Sequence, residues 1–334
     1  MKIRIDGFVL SIIGSVLLAF FYPFLGGSSS PLPVNQIANT GIALIFFFYG
    51  LKLSIPQFKS GLTNWKLHLL IQASTFVLFP LIVISFNPLI SGENGQTIWL
   101  AFLFLAALPS TVTSSVIMVS IARGNVPAAI FNASISGLVG IAITPLWMGL
   151  FMGHSAGDYS LSHIYMQLIT TIFVPILIGI LFQRLWGKYA RLYDQYLTLF
   201  EKAVILLIIY KSFSESFEDH IFSSVSIADF AIIIAAIVAL FFSVYWLTGN
   251  LSDWMGFALK DRTTIQFCGS KKSLVHGTIF SKILFPGSAA LGIVLLPILL
   301  YHAIQLFIVS ILATERARKT KQRYSQGKDK FFVD

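Results

Sequence analysis

Two short stretches of this chain combine helix breakers with groups able to hold an ion or a polar solute. The first is Leu108-Pro109-Ser110-Thr111-Val112-Thr113-Ser114-Ser115; the second is Phe267-Cys268-Gly269-Ser270-Lys271-Lys272-Ser273, with His276 just beyond. Hydroxyls donate or accept, and a break in a helix releases backbone groups that would otherwise be paired. The helix ending at each break offers carbonyls to a cation. The one starting beyond it presents free N–H groups and a positive dipole end to an anion. A lysine in mid-membrane costs roughly 2.5–3.5 kcal/mol even on a lenient scale, so Lys271 and Lys272 imply a purpose. Neighbours on a helix point about 100° apart, so at most one faces the site. Lys272 is favoured, since His276 lies one turn on, and either residue could exchange protons. Asn132 and Ser136, four apart on a helical face, could line the same site, while Gly137 and Gly140 let helices approach closely. The plainer alternatives are that the hydroxyls bond their own helix, that Pro109 only kinks it, and that the lysines snorkel to an interface.

The elements that must position these residues follow from composition. Of 334 residues, 56% are hydrophobic and 11% charged, and the mean hydropathy is +0.81. That leaves too little polar surface to cover a soluble globule, so lipid is the expected solvent. The run Phe8–Phe24 follows Lys2 and Arg4 without a small-residue cleavage site, and reads as a retained first span. A single cysteine excludes an intrachain disulfide, and no Cys/His spacing suggests zinc or haem; no cofactor is expected. The net charge of +9 is spread over short loops and a tail rather than gathered on one face, which argues against a nucleic-acid partner.

Apolar runs long enough to cross about 30 Å of hydrocarbon predict ten spans: Phe8–Phe24, Asn35–Leu53, Leu67–Phe86, Thr97–Ile121, Val126–Phe151, Ile164–Phe182, Leu199–Phe217, Ile227–Leu247, Thr263–Phe285 and Ala289–Leu312. Nineteen of the 23 Lys and Arg residues fall in alternate segments, which places both termini in the cytoplasm and the chain in the cell membrane as a multi-pass protein. The two interrupted spans are the fourth and the ninth. Gly124-Asn125-Val126-Pro127 follows one and Pro286-Gly287-Ser288 the other, so the chain divides into two inverted five-helix repeats, residues 1–151 and 152–314, with a basic tail over 315–334. Lys211, Glu215 and Glu218 near the outer end of span seven either border an aqueous cavity or are ordinary loop charges.

These residues also carry a family resemblance covering nearly the whole chain. Asp261-Arg262-Thr263-Thr264-Ile265-Gln266-Phe267-Cys268-Gly269-Ser270-Lys271-Lys272-Ser273-Leu274 resembles the signature of the bile-acid:sodium symporter superfamily in its divergent bile-acid-symporter-like branch, the solute carrier family 10 member 7 type. Pro109-Ser110-Thr111-Val112-Thr113-Ser114-Ser115 is similar to the superfamily's Pro-Gly-Gly-Thr-x-Ser-Asn. The resemblance implies an all-α membrane fold of ten helices, with crossed discontinuous helices four and nine. Helices three to five and eight to ten would form a core domain, and one, two, six and seven a panel domain that moves against it. It departs from sodium-coupled members in placing Cys268 where the ninth helix carries its Glu, Lys272 at the Gln and Ser273 at the Asn. Ala129 and Ala133 replace sodium-binding hydroxyls on helix five. Ser114 and Ser115 remain as residual sodium candidates.

The expectation is a secondary transporter of a small organic solute, anionic in character, with sodium coupling called into question and a proton as the other candidate ion. Two other classes stay open. One is a regulator of cellular calcium, an association of the resembling branch. The other is an intramembrane hydrolase using Lys272 with Ser273 or Ser114. Oligomeric state is not readable from the sequence.

Overall fold

A backbone in lipid must satisfy its own hydrogen bonds, and this chain does so with helices. The computed structural model describes residues 7–27, 30–53, 64–152, 161–220, 226–285 and 291–325, and among them no strand occurs. Lys2, Arg4, Lys59, the Pro286-Gly287-Ser288 turn and the end of the basic tail lie outside the described residues. The helices are α1 (Gly7–Phe21), α2 (Val34–Lys52), α3 (Trp65–Ala73), α4 (Phe79–Ser85), α5 (Glu93–Ala107), α6 (Thr113–Ile121) and α7 (Val126–Phe151). They continue with α8 (Leu161–Leu168), α9 (Val174–Leu192), α10 (Asp194–Glu218), α11 (Ile227–Trp254), α12 (Leu259–Gly269), α13 (Leu274–Leu284) and α14 (Leu291–Ser325). Among the described residues, six helical stretches are long and apolar enough to cross a membrane: Val34–Lys52, Trp65–Leu89, Val126–Phe151, Ser162–Leu192, Ile227–Trp254 and Leu291–Lys319. Gly7–Phe21 and Gly95–Ala107 are shorter apolar helices.

Two features were not expected. One-turn π segments join α3 to α4 at Ser74–Leu78 and α8 to α9 at Ile169–Phe173, each followed closely by a proline, Pro80 or Pro175. Span seven is also longer than its apolar run: α10 starts at Asp194 and is helical through Glu218, so Lys211 and Glu215 are helix residues rather than loop charges. At the other end of the chain, α14 runs on into the basic tail as far as Ser325.

Packing follows small residues. Gly50 of α2 and Gly179 of α9 face each other so closely that a methyl on either would meet the other helix's backbone, at the Ile176 or Phe47 carbonyl. Gly41 receives Val204 of α10, and Ser15 of α1 donates to the Leu206 carbonyl at 3.0 Å. Helices α1, α2, α9 and α10 thereby form one packed group, while α5, α7 and α11–α14 pack around the two breaks. Large apolar side chains such as Leu181, Ile232 and Trp246 point outward, as a lipid-facing surface requires.

Candidate functional site

The two breaks meet. Between α5 and α6 the chain is non-helical from Leu108 to Val112, and between α12 and α13 from Ser270 to Ser273. The Ser273 N–H donates to the Pro109 carbonyl at 2.8 Å, and Ser110 Oγ donates to the Cys268 carbonyl at 2.8 Å. Each interruption thus satisfies part of the other. The Ser110 N–H donates to Ser136 Oγ of α7 at 2.9 Å, and Pro109 seats its ring on Gly140, where a methyl would sit 3.0–3.1 Å from three ring atoms.

The carbonyls released at the end of α5 have named partners, as buried acceptors require. Thr144 Oγ1 takes Ala107 at 2.7 Å. The Lys272 ammonium takes Ala106 at 2.6 Å and Leu108 at 2.8 Å. Its third bond, 2.7 Å, goes to the Thr75 carbonyl in the first π segment. That carbonyl is vacant for a local reason: the π turn sends the Phe79 N–H to Ser74 instead, and the next residue, Pro80, has no N–H. Three acceptors match the three protons of an ammonium group. The charge also lies 4.1 Å from the centre of the Phe79 ring, and it sits at the C-terminal end of α5, where the helix dipole favours a cation. The Lys272 peptide is itself clamped by Gln305 of α14, which accepts from its N–H at 3.0 Å and donates to its carbonyl at 2.8 Å. Tyr301 donates to the Ser270 carbonyl at 2.6 Å.

The predicted residues divide accordingly. Pro109, Ser110, Ser136, Cys268, Ser270, Lys272 and Ser273 come together at the crossing, and Gly269 packs there against Ser74. Lys271 and Lys272 are 0% and 1% exposed, so neither snorkels. Both lie in non-helical chain, so the expectation that a helical turn relates Lys272 to His276 fails. His276 instead bonds Ser273, its helix's N-cap residue, at 2.9 Å. Thr111 Oγ1 bonds Ser114 at 2.7 Å and Ser115 at 3.0 Å, which ties both residual sodium candidates into a local network. Thr113 opens α6, and its side chain lies outside the described residues. Asn132 does not join Ser136 at the break; it bonds His68 at 2.6 Å and Gln72 at 3.1 Å on α3. Sequence reasoning missed Thr75, Thr144, Tyr301 and Gln305. Gln305 left a signal, as an amide inside an apolar span.

Two cavities flank the crossing along one seam of α2, α10 and α13. The first, about 520 Å³, lies at the C-terminal end of α2 and the N-terminal ends of α10, α13 and α6. Thr111, Ser114, Ser273 and His276 line its floor, Tyr49 and Ser134 its wall, and Lys52, Asp194, Glu201 and Lys202 its charged side. Lys52 and Asp194 pair at 2.8 Å. The second, about 540 Å³, lies at the opposite ends of the same three helices and is lined by Asn35, Asn39, Lys211, Glu215 and Lys282 among others. Phe46 and His276 of the first cavity are in edge-on contact at 5.9 Å, and Phe280, one turn further along α13, is edge-on to His276 at 5.6 Å.

Residues 6–318 match the family described as the SBF-like CPA transporter family. The chain belongs to that family. It is 37% identical over 315 residues to an uncharacterized protein of Pseudomonas aeruginosa, covering 94% of this chain and 93% of that one. It is 31% identical over 318 residues to sodium/bile acid cotransporter 7 of Rattus norvegicus, covering 93% and 92%. The identity to the Xenopus tropicalis protein of the same name is 30% over 317 residues, covering 93% and 91%. This SBF-like chain is therefore a multi-pass integral membrane protein of the bile acid:sodium symporter type, a transporter of small-molecule solutes and not an enzyme. At the crossing the Lys272 ammonium is committed to three carbonyls and Ser273 to His276.

Proposed function

We propose that the chain is a secondary active transporter that moves a small organic anion by alternating access and does not require sodium. The observation that carries this reading is the pair of cavities on one helix seam, at opposite ends of α2, α10 and α13. Rocking the α1, α2, α9, α10 group against the remainder would close one cavity as it opens the other, the movement expected of transporters built from inverted repeats. In this reading the broken helices complete ten membrane passages, residues 1–151 and 152–314 are the inverted repeats, and both termini are cytoplasmic. The floor of the first cavity favours an anion, since the N-termini of α6 and α13 converge there.

The case against sodium rests on Lys272. Its ammonium holds three carbonyls where the resemblance would lead one to look for a coupling cation. A hard cation needs several oxygen ligands and would be repelled by a fixed charge. A proton is the remaining coupling ion, and exchange without a coupling ion is the other route.

The test is counterflow in proteoliposomes, with labelled taurocholate as first probe among a panel of organic anions and sodium replaced by N-methylglucamine. Exchange is expected to persist without sodium. Strict sodium dependence would overturn the coupling claim, and absence of counterflow for every organic solute would overturn the transporter reading.

A further inference from the structure

The second cavity carries charges that the crossing does not use. Lys211 forms an ion pair with Glu215 one turn further along α10, their side chains only 13% and 20% exposed. Lys282 in the last turn of α13 reaches across to α2, donating to Asn39 Oδ1 at 2.7 Å and approaching the Asn35 carbonyl at 3.4 Å. Two ammonium groups thus face one carboxylate, and both partners of Lys282 are neutral. Among the described residues that line it, the cavity keeps one positive charge in excess. Ile42, Ile208 and Ile283 supply an apolar wall beside it.

We propose that this cavity is a recognition site for an organic anion, a carboxylate or sulfonate on an apolar body, with Lys282 meeting the negative group. The identification of the anion as cargo rests on the transporter reading above. Lys282 suits the role by position, because its helix also lines the first cavity through Ser273 and His276, so one half-helix borders both ends of the path. Its cation is also supported by the C-terminal dipole of α13.

The experiment needs no knowledge of the cargo. Thr171→Cys places a thiol on the cavity wall, against a background in which the single native cysteine, Cys268, is 1% exposed. The purified full chain in detergent is treated with methanethiosulfonate reagents carrying either a sulfonate or a trimethylammonium group, each normalised to its rate with a free thiol. The sulfonate reagent should react about tenfold faster, the scale of one unit charge acting over several ångströms in a partly screened site. Lys282→Gln should abolish the preference and Lys282→Arg should keep it. Taurocholate should slow labelling in the Lys282 and Lys282→Arg backgrounds only. A rate indifferent to reagent charge, or a preference unchanged in Lys282→Gln, overturns the proposal, and the first of these is read on the parent protein even if the Gln variant does not fold. Charge preference and taurocholate protection without counterflow would sink the transport reading and leave the site standing, whereas counterflow without charge preference would sink the site alone.

Discussion

Lys272→Met keeps most of the buried stem and deletes its charge, so it isolates the ammonium that joins three segments far apart in sequence. Thr75, Ala106 and Leu108 would each lose a donor at 2.6–2.8 Å in an interior sealed from water. Each stranded acceptor costs about 1–3 kcal/mol. The three together come to about 3–9 kcal/mol; relief from burying an ion offsets several kcal/mol of this, which leaves a net loss of about 3 kcal/mol. At roughly 2 °C per kcal/mol for a chain of this size, the melting temperature should fall by about 6 °C. Cys268 supplies the readout. It is the single cysteine, 1% exposed beside the crossing, so a maleimide dye should report the loss of that region directly. Lys272→Ala goes further by leaving room among the same carbonyls, so sodium or potassium should raise its melting temperature while leaving wild type unchanged. A Met variant within about 2 °C of wild type, or sodium stabilising wild type and Lys272→Ala alike, would refute the tethered-cation argument.

Gly140→Ala should cost about 1–3 kcal/mol in the same assay, because its methyl meets the Pro109 ring. Gly14→Ala, which meets nothing within 4 Å, should be neutral or slightly stabilising. Gln305→Leu removes both bonds to the Lys272 peptide and should lose about 1–3 kcal/mol, with Gln305→Glu intermediate because it retains the acceptor. Gly179→Ala drives a methyl into the Phe47 carbonyl and should separate α2 from α9, read as loss of monodisperse protein on size exclusion.

How much of this was legible in the sequence depends on whether a feature is local. The breaks at Pro109 and Ser270–Ser273 were, because helix breakers and hydroxyls in apolar spans mark them residue by residue. The direction of the lysines was not: the 100° argument presumes a helix, and the chain is not helical at Lys271 and Lys272. Asn132 and Ser136 do share a helical spacing, yet they diverge because α3 brings His68 and Gln72 to one and the break brings Ser110 to the other. The partners Thr75, Tyr301 and Gln305 depend on tertiary approach.

The bonds between the two breaks also set an order of events in making the protein. Lys272 lies 164 residues after Leu108 and 166 after Ala106, so at about 5–20 residues per second the first broken helix waits on the order of ten seconds or more for its cation. Over that interval its end holds polar backbone in a place meant to be dry, with Ser110 also lacking the Cys268 carbonyl. The first half of the chain is therefore an unfinished object at the ribosome, and whatever shelters it during insertion, water in the translocon or an attendant helix, must let go only when the second half arrives.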